Sequence, residues 1–293
     1  MISELRRLAL LPLLLACAGA ARAAGGTVAV LSSDSGAYLE AFSAFQAALG
    51  SEVPYLDISD GKPVLPPGTG TVVAFGGKAA GFQYPPDVSM VYCMAPGIFL
   101  RSTAPEGRSA KISLIPDFAV IFSRIKEIQP GIRRLRIFWM SPAFGTFREA
   151  VMSEGARQGL EVTVVKVPGP EDMPALLRAA LDEADAFWLP PDPLMVTPEN
   201  LMIMREFSWS NAIPFYGSTK GMPREGAAAS IGVNFKDMGV AAAGAALRLA
   251  AGEKIPELVF PQAVELTLNS GAAKKCRLEF TPEVLRQANY LFP

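Results

Sequence analysis

The chain has 293 residues, 50% of them hydrophobic and 19% charged, with 27 basic against 28 acidic side chains. That balance describes a well-cored globular protein of one large domain or two ordinary ones, and it excludes a disordered chain. No run of basic residues with interleaved aromatics occurs, so a nucleic-acid partner has no electrostatic footprint here.

At the N-terminus, Arg6 and Arg7 precede an apolar run from Leu8 to Ala16, and Ala21, Arg22 and Ala23 form an A-x-A cleavage pattern. Residues 1–23 are therefore expected to be a secretory signal peptide. The run is shorter than the about 20 apolar residues a membrane-spanning helix needs. Leu14, Leu15, Ala16 and Cys17 resemble a bacterial lipobox, which offers lipidation of Cys17 as the alternative to cleavage after Ala23. Cleavage after Ala23 removes three basic residues and one acidic, leaving 24 against 27 and a net charge of −3. The expected location is periplasmic or extracytoplasmic. Cys93 and Cys276 stay in the mature chain, where an oxidising compartment permits a disulfide without requiring one.

Beyond the leader, Thr27–Leu31 reads as a short apolar strand and Ser32–Ser35 as a turn. Tyr38, Phe42, Phe45 and Leu49 then place one apolar stripe on a helix ended by Gly50. A second strand is expected over Val53–Ile58. The same unit recurs: strand Leu135–Met140, turn from Ser141, a helix from about Phe147 stopped by Gly159, and strand Glu161–Lys166. Ser32 to Gly50 and Ser141 to Gly159 each span 18 positions, and the two units lie 109 residues apart. The parallel continues, with Thr71–Phe75 before Gly76, Gly77 and Lys78 matching Asp185–Leu189 before Pro190, Pro191 and Asp192. Val88–Cys93 likewise matches Ile213–Tyr216. Strands alternating with helices imply parallel sheets covered on both faces, and two such sets imply two lobes, an α/β architecture.

Between Ala186 and Asn200, prolines 190, 191 and 193 surround Asp192 and forbid continuation of either strand or helix. Thr197, Pro198 and Glu199 then supply a cap, a first-turn proline and a first-turn acid for the next helix. Ala229–Asn234 reads as a strand, Met238–Ala251 as an alanine-rich helix, Val259–Leu268 as a strand and Thr281 onward as a capped helix.

The chemistry is marked by what is missing. The chain has no histidine, which removes Ser-His-Asp and Cys-His catalysis together with the commonest metal ligand. There is no C-x-x-C cluster for zinc. Gly76, Gly77 and Lys78 evoke a phosphate loop, but Val72 and Ala79 stand where that motif needs glycine and Ser or Thr. Asp34 and Asp192 each follow a strand, one per lobe. A facing pair of acids is the equipment of a glycoside hydrolase, although both also suit cap and turn positions. Trp139, Trp188 and Phe215 read as core, whereas Phe144, Tyr216 and Trp209 are the aromatics placed to touch a ligand. Arg101 and Lys111 read as a solvated crossover between the halves.

Ligands of open α/β sheets bind outside the carboxyl ends of the strands. That rule collects Ser32, Ser33, Asp34, Gly76, Gly77, Lys78, Ser141, Phe144, Asp192 and Ser218 on two facing rims. Within the run from Ala184 to Leu291, the segments Ala184–Pro193, Ile213–Ser218, Gly226–Gly232, Leu249–Pro256 and Glu265–Asn269 carry a likeness: the run resembles the substrate-binding proteins of ABC transporters of the tryptophan/tyrosine-binding type, with the type I periplasmic binding protein fold. Ser113–Phe118 also resembles the family's first crossover, where a Gly-Val-Ser element helps bind ligand; Lys111, Ile112 and Ser113 stand there, so Ser113 alone carries over.

The resemblance implies two Rossmann-like lobes joined by a three-strand hinge near residues 110, 235 and 260. The first lobe would be residues 24–112 plus about 235–260, the second 113–234 plus about 261–293. It implies a monomeric, non-enzymatic receptor that needs no cofactor or metal and closes on a small solute, with an aromatic amino acid or a related compound as ligand and a membrane permease as partner. Tyr216 and Asn234 join the expected ligand contacts. A ligand-sensing or partner-docking subunit on the same fold is the alternative.

Overall fold

The computed structural model describes residues 26–34, 36–59, 61–96, 108–141, 145 and 147–293. Two sheets account for the strands. The first is entirely parallel, in the order β11-β5-β4-β3-β1-β2, where β1 is Gly26–Leu31, β2 Tyr55–Asp57, β3 Thr69–Phe75, β4 Ser89–Cys93, β5 Ser109–Ile112 and β11 Leu258–Val259. The second runs β13-β12-β10-β9-β8-β6-β7, with β6 Arg134–Trp139, β7 Glu161–Lys166, β8 Ala186–Trp188, β9 Phe215–Gly217, β10 Ala229–Gly232, β12 Glu265–Asn269 and β13 Tyr290–Phe292. Only the β10–β12 pair is antiparallel.

Each sheet is buried on both faces, as parallel strands with continuous apolar runs require. In the first lobe, helix α1 (Gly36–Leu49) turns Phe42 and Phe45 onto the sheet beside Phe75, while Val30, Val72, Ala74 and Met90 pack on the opposite face. The short α2 (Gly77–Ala80) follows β3. In the second lobe, α3 (Phe118–Ile128) and α4 (Arg148–Arg157) cover the face carrying Leu135, Ile137, Trp188 and Tyr216. The other face, with Phe138, Phe187 and Phe215, lies under α5 (Met173–Arg178) and α6 (Pro198–Asn211). Thr197 caps α6 by accepting the Asn200 N–H at 3.2 Å, with Pro198 in the first turn, as the sequence leads one to expect.

The chain passes between the sheets three times: after β5 through residues 113–117, after β10 through 233–234 into α7 (Phe235–Ala250), and after β11 through 260–264. The helix α7 packs back against α1 in the first lobe, and α8 (Ser270–Lys275) and α9 (Pro282–Gln287) complete the second. The Ser113 N–H donates to the Val259 carbonyl at 2.8 Å, tying the first crossing to the third.

Three expectations are corrected. The single strand over 259–268 is two strands in different sheets, because Phe260 and Pro261 open the third crossing. The helix expected from Met238 starts at Phe235, where Asn234 caps it. Lys111 is not solvated: it is 8% exposed and its Nζ pairs with Glu257 at 2.6 Å. The pairing of Cys93 and Cys276, which the sequence leaves open, does not occur: both are free and buried, one in β4 of the first sheet and the other beyond α8 in the second lobe. Residues 1–25, Cys17 among them, and Arg101 lie outside the described residues.

Candidate functional site

Two adjoining cavities open between the lobes, sharing Leu114 and Pro191 as a common wall. The first encloses about 450 Å³, its open mouth included, and is mostly apolar. Phe118, Phe147 and Phe260 supply aromatic walls, and Pro96, Ile115 and Pro193 fill between them. Phe118 stands edge-on to Phe147 at 6.0 Å and to the buried Trp188 at 6.3 Å, so the wall is braced by the second lobe's core. Polar groups are few: Ser113, Ser141 and Asp192. Sparse polar groups in an apolar cleft is the usual make-up of a small-molecule site.

Asp192 is fully buried. Its Oδ2 accepts the N–H groups of Met140 at 2.7 Å and Ser141 at 2.8 Å, and its Oδ1 accepts that of Leu194 at 3.0 Å. Its own N–H donates to the Pro190 carbonyl, and its carbonyl accepts from Met195 and Val196. Prolines take backbone donors out of this elbow, and the one aspartate among them ties the loop after β8 to the loop after β6. Ser113, 2% exposed, donates its hydroxyl to the Ile115 carbonyl at 2.8 Å and accepts the Ile115 N–H at 3.3 Å, fixing the bend of the first crossing.

The second cavity, about 850 Å³ with its open mouth, is charged. Glu40 of α1, Glu265 of β12, and Lys220 and Lys236 line it beside Ser218 and Asn234. Asn234 accepts the Asp237 N–H at 2.8 Å and so caps α7 at the cavity wall. The Ser218 hydroxyl is buried and without a hydrogen-bond partner among the described residues. Burial raises the Glu265 carboxyl above its ordinary pKa; Lys220 opposes the rise, while Asp237 and Glu40 add to it.

Ser113, Ser141, Asp192, Ser218 and Asn234 thus meet along the cleft, and other expected contacts do not join them. Ser32 turns inward, its hydroxyl accepting the Ala79 N–H at 3.0 Å. Gly76, at φ +97°, packs directly over it: a Cβ there would lie 2.4 Å from Ser32 Oγ, so this glycine serves a tight turn rather than a phosphate. Lys78 reaches away from the cleft to the carbonyls of Ile58 and Ser59, at 2.6 and 2.9 Å. Neither cavity is lined by Ser33, Gly77 or Asp34. Asp34 is exposed and Asp192 is enclosed by backbone donors, so the two acids do not share a cavity as paired carboxylates would need to. Phe144 lies outside the described residues.

Tyr216 requires correction. It sits inside β9, fully buried, with its hydroxyl donating to Gln129 Oε1 at 2.8 Å, and burial holds its phenol well above the ordinary range. Tyr216→Phe is expected to destabilise the fold by about 1 kcal/mol, the usual net value of one such bond, without altering solute affinity. Denaturant titration beside ligand titration checks both. Trp209 lies on α6, where the Arg205 guanidinium covers its ring, and lines neither cavity. Phe260, Glu40, Glu265, Lys220 and Lys236 are cleft residues that sequence reading passed over. Phe260 had been hidden inside the supposed long strand, and the lobe-facing register of Glu265 depends on its pairing with Gly232.

No group of His, Cys, Asp and Glu among the described residues is arranged to hold a metal ion, and no helix among them is long and apolar enough to cross a membrane.

A family model described as ABC transporter substrate binding protein matches residues 119–291, more than half of the chain. No curated protein sequence matches it significantly. Among solved structures, a substrate-binding protein with adhesive properties from Clostridium difficile, in a ligand-free, open form, superposes with a TM-score of 0.67 at 14% identity, covering 92% of this chain and 99% of its own. An ABC domain from Streptococcus pneumonia in complex with L-Trp gives 0.61 at 17% identity, covering 92% and 100%. A conserved domain protein from Vibrio cholerae gives 0.60 at 15% identity, covering 91% and 99%. At these identities the likeness establishes the fold, a two-lobed type I periplasmic binding protein.

Proposed function

We propose that this chain, which belongs to the ABC transporter substrate-binding protein family, is the extracytoplasmic receptor of an importer that closes its two lobes on a small solute with an apolar ring. The observation that carries the reading is the interlobe cavity walled by Phe118, Phe147 and Phe260, with the Ser113 and Ser141 positions at its edge. An aromatic amino acid or a related compound suits those walls, and the Streptococcus relative's bound L-Trp supports the same class. On this reading residues 24–112 with about 235–260 move as one lobe, and 113–234 with about 261–293 as the other. The three crossings then act as the hinge of ligand-driven closure. Export rests on the charged and apolar pattern of residues 1–23.

A thermal-shift screen of the mature chain against amino acids, small aromatic acids and amines, nucleosides and sugars tests the proposal. A solute at a hundredfold excess over its Kd stabilises by about 2.7 kcal/mol. Phe260→Ala removes one wall from a half-buried position and is expected to weaken the selected solute about tenfold, or ~1.4 kcal/mol. Ser113→Ala is expected to weaken it as well, by relaxing the bend that presents Leu114 and Ile115. Unchanged affinity in both variants would put the ligand elsewhere.

A further inference from the structure

The charged cavity has an asymmetry that the ring-binding one lacks. Glu265, on the second lobe, is 8% exposed, yet its carboxylate is engaged by no hydrogen bond or ion pair among the described residues. Glu40 looks into the same space from α1 of the first lobe and is likewise unpaired, and Asp237 adds a third negative charge nearby. Lys220 attracts the Glu265 carboxylate from a distance, but neither lysine of the cavity forms an ion pair with Glu265 or Glu40 among the described residues. Lys220 directs its ammonium over the Tyr290 ring at 5.7 Å, and Lys236 is exposed in the first turn of α7. The N-terminus of α7 is already served by its Asn234 cap and by Asp237 in its first turn, so it leaves little positive potential for an anion. The hydroxyl of Ser218, 2% exposed and unpartnered, is a further acceptor on the wall.

We propose that this second compartment holds a protonated amine of the solute between Glu265 of one lobe and Glu40 of the other, with the Ser218 hydroxyl as an added acceptor. The inference rests on the receptor reading and narrows it: the solute joins an apolar ring to a cationic end. Closure of the empty protein brings two carboxylates of opposite lobes toward each other, and a cation between them reverses that repulsion. A ligand shifts a conformational equilibrium only through its differential affinity for the two states. An amine gripped from both sides supplies that difference.

The test is calorimetric titration of the mature protein with phenylalkylamines of graded chain length, beside the matching carboxylates and alcohols, with sugars and nucleosides in parallel. The amines are expected to bind at least about tenfold more tightly than either analogue series. Glu265→Gln and, independently, the partly exposed Glu40→Gln are each expected to cut the amine-over-alcohol preference about tenfold. Carboxylates or alcohols binding as tightly as amines, or an intact preference in both variants, overturns the amine site. Binding of a sugar or nucleoside with no phenylalkyl compound bound also overturns it while leaving the receptor reading in place, and no binding in any series removes both.

Discussion

Replacing Asp192 by Ala is expected to lower stability by about 3–5 kcal/mol and to cost the cleft its solute affinity. The estimate comes from the three backbone N–H groups of Met140, Ser141 and Leu194 that the buried carboxylate receives. Stranding a buried donor costs about 1–3 kcal/mol each, and the total is held toward the low end because the Ser141 end of the loop is partly exposed. At roughly 2–4 °C per kcal/mol for a protein near this size, Tm falls by about 10 °C. Affinity falls for a separate reason. Oδ2 binds the loop after β6 and Oδ1 the elbow after β8, so both second-lobe edges of the aromatic cavity lose their tie at once. Asp192→Asn keeps one acceptor oxygen but turns an NH₂ toward donors, and is expected to fall between wild type and Ala. Scanning calorimetry of the three proteins checks the order, and an Ala variant melting within about a degree of wild type would refute the assignment.

The same residue shows how far the sequence can be read. Three prolines around one acid announce a rigid elbow after a buried strand, and the elbow is there; which backbone groups the acid would receive depends on β6, a strand 52 positions earlier that is its neighbour only in the folded sheet. The repeated unit of strand, turn and helix was legible because each copy carries its own signals, namely an apolar run, a polar turn and a terminating glycine. What failed was whatever depends on partners. Tyr216 stands next to Gly217 and Ser218, which suggests a loop, yet β9 extends through Gly217 and takes the ring into the core. Lys78 follows a strand end, but its stem carries the ammonium back to the Ile58 and Ser59 carbonyls just past β2. Val259–Leu268 alternates well enough for one strand, and only the separate pairings, Val259 with Ile112 and Glu265 with Gly232, reveal that the chain changes lobes inside it. That change of lobes places Phe260 and Glu265 in the cleft, so the misread strand and the overlooked site residues have one cause.

Gly239→Ala is expected to destabilise the first lobe by about 2–3 kcal/mol although alanine is the better helix former. The helix α7 lies against α1 along Met238, Ala242, Ala243, Ala245 and Ala246, a face of small side chains that lets the two backbones approach. A Cβ on Gly239 would sit 2.0 Å from the Ala41 carbonyl oxygen and 3.1 Å from the Phe45 nitrogen. Those are backbone atoms, so no rotamer change relieves the clash and one helix must lift. Overpacking of this kind costs about 1–3 kcal/mol beyond any local gain. Gly244, on the same helix, is the control: it is exposed and its added Cβ would meet nothing within 4 Å. There the intrinsic preference acts alone and Gly244→Ala is expected to stabilise by up to about 1 kcal/mol. Urea midpoints of opposite sign for the two variants are the expected result, and equal shifts would mean that α7 does not depend on close approach to α1. The consequence reaches the cleft, because α7, capped by Asn234, carries Phe235, Lys236 and Met238 on the wall of the charged cavity. Lifting it from α1 also moves that wall away from Glu40, so Gly239→Ala should weaken the solute while Gly244→Ala leaves it bound as before.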